Sequence, residues 1–225
     1  MVVLPEMVFY PWIAWTKQVD VQVWEASVNA HTEWLTRLQE LAPAMVIGSR
    51  PVNQQGKHLN EGFLWTPERG YQAVHAKYYL PDEELFWEAT WYQRGEKAFL
   101  PVREKQISIG MLICTELWFN EHARAYGKAD VHLIASPRAT PGTSRDKWVA
   151  GGRTVAVTSG AFSLSSNMSG RDRHGIEWAG TGWIIEPEEA DVLGLTSPEH
   201  PFLTRDIDLN TAEQAKLTYP RYVRE

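Results

Sequence analysis

One cysteine, Cys114, stands in a chain of 225 residues. That scarcity excludes an intrachain disulfide and any zinc site built on cysteines, and it fits a reducing compartment, so a cytoplasmic location is the expectation. Runs of lysine and arginine are missing as well. With a net charge of -6 and a pI near 5.7, the chain offers no basic surface to track phosphates, and nucleic acid is excluded as a partner. No apolar run has the character of a membrane span. The opening MVVLPEMVFYPWIAW lacks a basic leader, carries Glu6 and is broken by Pro5 and Pro11, so it is expected to be folded interior rather than a signal peptide or membrane helix. The seven histidines lack metal-ligand spacing such as H-E-x-x-H, and neither G-x-S-x-G nor a phosphate-cradling glycine loop occurs. Neither a metal nor a cofactor is expected, and no internal repeat or low-complexity linker divides the chain.

What is present is apolar mass: 44% of residues are hydrophobic, enough for one large core, so residues 1–225 are expected to form a single domain. Eleven tryptophans contribute, and large aromatics serve core packing or a small-molecule pocket equally well. The segment FYPWIAW, directly after Glu6, is the stretch expected to shape an apolar pocket wall.

Periodicity gives the order of elements. Met1 to Leu4 reads as a strand delivering Glu6, and Val21 to Leu41 as a helix ended by Pro43. A meander follows, with strands at Met45 to Gly48, Phe63 to Trp65 and Tyr71 to Lys77 separated by the polar turns NQQGKHLNEG and TPERG. Ala98 to Val102 and Gln106 to Ile113 pair as a hairpin across REK. Beyond Cys114 come a helix at Leu117 to Tyr126 stopped by Gly127, a strand at Val131 to Ala135 stopped by Pro137, a helix at Ser144 to Val157, and strands at Ala161 to Ser166 and Thr181 to Ile185. A strand at Phe202 to Ile207 and a helix at Asn210 to Leu217, capped by Asn210, close the chain. The class is mixed α/β with helices on the outer faces.

Cys114 ends its strand in ICTE, where unpaired backbone N–H groups and a helix dipole favour a thiolate. A lone cysteine on an apolar strand is ordinarily just a small buried hydrophobe. A reactive thiol needs a base for its proton and donors for an oxyanion. Two other strand ends supply them: Glu6 in LPE and Lys77 in KYYLP. Taken singly, Glu6 caps a turn, Lys77 snorkels from a sheet edge and Glu116 complements a helix N-terminus.

Together and in this order, LPE, KYYLP and ICTE resemble the motifs of the nitrilase superfamily of carbon-nitrogen hydrolases, over essentially the whole chain. The resemblance implies a four-layer α-β-β-α sandwich. It assigns Glu6 as general base, Lys77 as stabiliser of the tetrahedral intermediate, Cys114 as nucleophile and the Thr115 N–H as oxyanion donor. Glu88, seven positions before Gly95 in EATWYQRG, matches a further glutamate of the family that would orient Lys77. Glu116 is held as a supporting residue, and Trp148, Asn167, Gly170, Gly180, Gly182 and the closing TYPRYV fit the family pattern.

Family members carry a strand and a helix before LPE, so the expectation is an N-terminally shortened domain or a true start lying upstream. CTE in place of C-W-E, and Leu117 and Trp118 in place of paired arginines, leave amides as the expected substrates. N-carbamoyl compounds and nitriles are alternatives, as are acyl transfer to an amine and a non-catalytic binding or assembly module. The family also implies a homo-oligomer, dimer or higher, with an interface sought at Leu117 to Tyr126 and TYPRYV.

Overall fold

The computed structural model describes residues 1–41 and 45–223; the expected helix stop at Pro43 lies outside the described residues. Two sheets carry the molecule. In the first, strand β1 (Val2–Val3) runs parallel to β2 (Val46–Gln54), and β2, β3 (Lys57–Thr66) and β4 (Gly70–Ala76) form an antiparallel meander. In the second, β5 (Val102–Glu104) and β6 (Ile107–Met111) form a hairpin as expected, but the turn is Lys105 and Gln106 rather than REK, and residues 98–101 lie outside the strand. Strands β7 (Leu133–Arg138) and β8 (Phe162–Asn167) extend it in parallel. A short antiparallel pair, β9 (Ser169–Arg171) and β10 (Glu177–Ala179), stands apart, and β11 (Trp183–Ile185) and β12 (Val192–Leu195) complete the second sheet in the order β12-β11-β8-β7-β6-β5.

The layering follows from side-chain alternation. On β2 and β3, Ile47 and Leu64 face the second sheet and join Met111, Ile113 and Leu133 in the central core. Their neighbours Val46, Phe63 and Trp65 point the other way, where Leu35 and Leu38 cover them at the end of helix α1 (Val21–Leu35). The sheets meet closely: a Cβ at Gly62 would collide with Met111 Sδ. Behind the second sheet lie α3 (Asn120–Lys128) and α4 (Arg145–Ser159), with Tyr126, Val155 and Ala156 buried against it; α2 (Glu88–Trp91) and α5 (Leu209–Ala215) are short. The result is a four-layer α-β-β-α sandwich. Among the described residues no helix is long and apolar enough to cross a membrane.

Several elements differ from the sequence pattern, each for a local reason. NQQGKHLNEG is not a long turn: β2 and β3 pair through Gln54 and Lys57, and only Gln55 and Gly56, both at positive φ, make the two-residue hairpin loop. Helix α1 stops at Leu35 and a 3-10 turn at Leu38–Leu41 follows. Pro137 does not end β7. The pairing with β6 stops at Ala135, so one side of β7 needs no N–H from Pro137. Gly127 lies inside α3, where a Cβ would press 2.6 Å from the Ser159 carbonyl oxygen. Residues 202–207 form no strand, because no sheet edge receives them and Phe202 is 92% exposed. The last helix is capped by Asp208, whose carboxylate accepts from the Asn210 N–H, rather than by Asn210.

Candidate active site

Four strand ends converge at one edge of the sandwich. Glu6 follows β1, and its N–H donates to the carbonyl of Arg138 at the end of β7, 3.2 Å away, which ties the first sheet to the second. Lys77 follows β4, held by its N–H to the Asn60 carbonyl (2.8 Å) and by its carbonyl to the Gly95 N–H (3.0 Å). Glu88 opens α2. Cys114 opens a 3-10 turn, Cys114–Trp118, three residues beyond the end of β6, at φ 48°. A non-glycine residue in that left-handed region stores about 1–3 kcal/mol, held by the surrounding structure. The helix expected at Leu117 is this 3-10 turn; α3 starts only at Asn120, and Leu117 and Tyr126 are core residues rather than an exposed face.

Lys77, Glu6 and Glu88 are wholly or almost wholly buried. The Lys77 ammonium donates to Glu6 Oε1 at 2.7 Å and to both Glu88 oxygens at 2.9 and 2.7 Å. Burial alone lowers a lysine pKa, but the two carboxylates overcome it and hold Lys77 well above its ordinary value. One ammonium does not neutralise two buried carboxylates. Burial, with the charge of Glu6 adding to it, lifts Glu88 to about 8 against the attraction of Lys77. Asn60 Nδ2 gives Glu6 Oε1 a second bond at 2.8 Å, whereas buried Glu6 Oε2 has no hydrogen-bond partner among the described residues.

Cys114 is buried, and its thiol responds to the charges of Glu6, Lys77 and Glu88. Burial pushes it up most strongly and the Glu6 charge pushes it further, against Lys77 and a hydrogen bond from the Ala139 backbone. A neutral thiol at rest requires a base at the moment of attack. Cys114, Thr115 and Glu88 open onto a cavity of about 620 Å³ with walls that include Tyr79, Phe86, Trp118, Phe119 and Trp148. The segment FYPWIAW is not among its walls. Trp12, Ile13 and Ala14 pack with Trp24, Trp91 and Trp178, and Phe9 stacks on Trp34.

Glu116 is fully buried and faces away from the cavity, accepting from His75, Tyr78 and Ile113. Sequence reasoning missed Asn60, His75, Tyr92 and Arg138. Tyr92 is buried, and its hydroxyl, without a hydrogen-bond partner among the described residues, feels the charges of Glu88 and Glu6. Arg138 is a buried guanidinium without a carboxylate partner among the described residues. It donates to Ser165 Oγ (2.7 Å), Thr140 Oγ1 (2.9 Å) and the Thr181 carbonyl, and lies over the Trp183 ring, while burial lowers its pKa to about 9. Its only signal in the sequence is a charge inside the apolar run LIASPRAT. Among the described residues no group of three or more His, Cys, Asp or Glu side chains has the arrangement to hold a metal ion.

A buried Glu-Lys-Glu cluster thus lies beside a cysteine at one edge of a four-layer sandwich. The carbon-nitrogen hydrolase family model matches residues 1–217, and the chain belongs to that family. It is 24% identical over 161 residues to N-carbamoylputrescine amidase of Arabidopsis thaliana, covering 65% of this chain and 54% of that protein. The chain spans less than two thirds of the length of the curated relatives it matches. Among solved structures, a carbon-nitrogen hydrolase from Helicobacter pylori G27 superposes with a TM-score of 0.87 at 18% identity, over 98% of this chain and 81% of that one. An amidase from Nesterenkonia sp. AN1, seen with acrylamide added at its active site cysteine, superposes with a TM-score of 0.71 at 18% identity, over 87% and 75%.

Proposed function

We propose that this chain is a cysteine-dependent hydrolase of a non-peptide carbon-nitrogen bond, with an amide as substrate and a thioester on Cys114 as intermediate. The observation that carries the reading is the buried ammonium of Lys77, fixed between Glu6 and Glu88 beside the thiol. Glu6, through its unpartnered Oε2, takes the thiol proton as Cys114 Sγ attacks the carbonyl carbon. Lys77 and the Thr115 N–H hold the oxyanion, Glu88 orients Lys77, and collapse expels ammonia or an amine that receives the proton from Glu6. Water, deprotonated by Glu6, then attacks the thioester, and the acid leaves as Cys114 recovers its proton. The aromatic cavity walls favour an apolar or aromatic acyl group.

Ammonia release from a panel of simple amides, N-carbamoyl amines and nitriles, with Cys114→Ala as control, tests this. Release from amides that vanishes in the variant, with an acyl adduct trapped on Cys114 by mass spectrometry, is the expected result. An adduct formed with a single burst of ammonia, and turned over only when an amine is added, would replace hydrolysis by acyl transfer. Neither release nor adduct on any substrate would overturn the catalytic reading.

A further inference from the structure

We infer that Glu116 is a positioning residue whose carboxylate sets the distance between Lys77 and Cys114 by clamping the backbone beside each of them; this rests on the hydrolase reading above. One oxygen, Oε1, accepts from the Tyr78 N–H at 2.7 Å, immediately after Lys77. The other, Oε2, accepts from the Ile113 N–H at 2.9 Å, immediately before Cys114. His75 Nε2 lies 3.0 and 2.9 Å from the two oxygens. Both of its partner atoms are carboxylate oxygens, so that nitrogen carries a hydrogen and donates.

The bond to Ile113 is what a glutamate in the first turn of any helix makes, reaching back to the N–H at the turn's start. Helix capping leaves the other bond unexplained. It crosses 38 residues of sequence to the end of β4, in the opposite sheet. His75 and Tyr78 flank Lys77 on that sheet, Ile113 precedes Cys114 on this one, and a single charged group with no wall on the cavity joins them. The strained backbone of Cys114 needs such an anchor, since a residue at φ 48° stays there only when its neighbours are fixed.

Glu116→Gln tests the clamp. Its oxygen can serve one backbone N–H, but its NH2 group faces the other donor, so one anchor is lost and replaced by a repulsive contact. The expected result is a fall in kcat on the order of 10²-fold, with KM within about threefold, because misplacement by about an ångström acts on the chemical step. Amide hydrogen exchange at Tyr78 or Ile113 should accelerate while the core strands keep their protection, and capture of Cys114 by iodoacetamide should slow. A purely structural glutamate would lower the melting temperature and leave the kcat of the folded fraction unchanged, which would overturn the inference. Should Glu116→Gln not fold, Glu116→Asp keeps the charge but is too short to reach both N–H groups. Wild-type kcat in Glu116→Asp would overturn the clamp equally. If the wild-type chain hydrolyses no amide, the hydrolase reading fails by itself; wild-type exchange and alkylation rates in the variant would sink the clamp separately.

Discussion

Replacing Lys77 with methionine removes a cation from between two carboxylates and leaves the volume nearly filled. Three charge-assisted hydrogen bonds disappear, one to Glu6 and two to Glu88. Both carboxylates stay buried, so the folded variant survives best by holding one more proton than the wild type. Keeping a carboxyl neutral costs about 1.4 kcal/mol for each pH unit above its ordinary pKa of about 4.3. At pH 7.5 that is about 4 kcal/mol, before the relief of Lys77's own burial cost, and it falls within the ~3–5 kcal/mol found when one partner of a buried ion pair is removed. At pH 4.5 the cost nearly vanishes. Urea unfolding of Lys77→Met and wild type at both pH values is the assay, read from midpoints at constant m. A deficit of several kcal/mol at pH 7.5 that shrinks to under about 1 kcal/mol at pH 4.5 is expected. A deficit equal at the two pH values, or small at both, would refute the charge argument.

Glu88 carries a pH signature of its own. Its folded pKa is raised from 4.5 to about 8, so the folded state keeps a proton that the unfolded chain has released, and stability contributed by this group falls as pH rises between those values. In Glu88→Gln the slope over that window should flatten, by at most about 1.4 kcal/mol per pH unit, and an unchanged slope in urea midpoints would count against it. Gly95→Ala would place a Cβ 2.6 Å from the Ala76 Cβ and 2.7 Å from its carbonyl carbon, next to the strand end that carries Lys77. A loss of about 1–3 kcal/mol in thermal unfolding, together with slower ammonia release, is expected, and an unchanged melting temperature would contradict the contact. Phe202→Ser should leave stability within about 0.5 kcal/mol, because the side chain is 92% exposed; a loss above 1 kcal/mol on denaturant unfolding would mean that this segment is packed after all.

The parts of the fold legible in the sequence were those written locally. Alternation on Ile107 to Ile113, the helical pattern from Ser144 to Val157, and short motifs at Glu6, Lys77 and Cys114 each depend on neighbours within a few residues. The β2-β3 hairpin was hidden because its outer half is polar, although Asn60 and Glu61 are buried there by tertiary neighbours that no local pattern reveals. Residues 202–207 have a strand's alternation without a sheet edge to complete it. FYPWIAW has a pocket's composition but α1 and α2 cover it. Asn60, His75 and Arg138 matter through partners far along the chain, and that information is absent from the order of residues. Glu116 could be read as a cap from its spacing, whereas its bond to Tyr78 could not.

The ties at the cluster span long stretches of chain. Lys77 reaches Glu6 across 71 residues, Asn60 reaches it across 54, and the Glu6 N–H meets the carbonyl of Arg138. None of these contacts forms inside a single hairpin or helix, so, although Glu88 lies only 11 residues from Lys77, the chain must close a long loop before the ammonium finds Glu6. On the proposed hydrolase reading, the thiol passes through every earlier stage of refolding without Glu6, and activity arrives with the docking of the two sheets. Recovery of activity after dilution from urea should lag the recovery of helical and strand signals, which makes turnover itself a clock for the last step of folding.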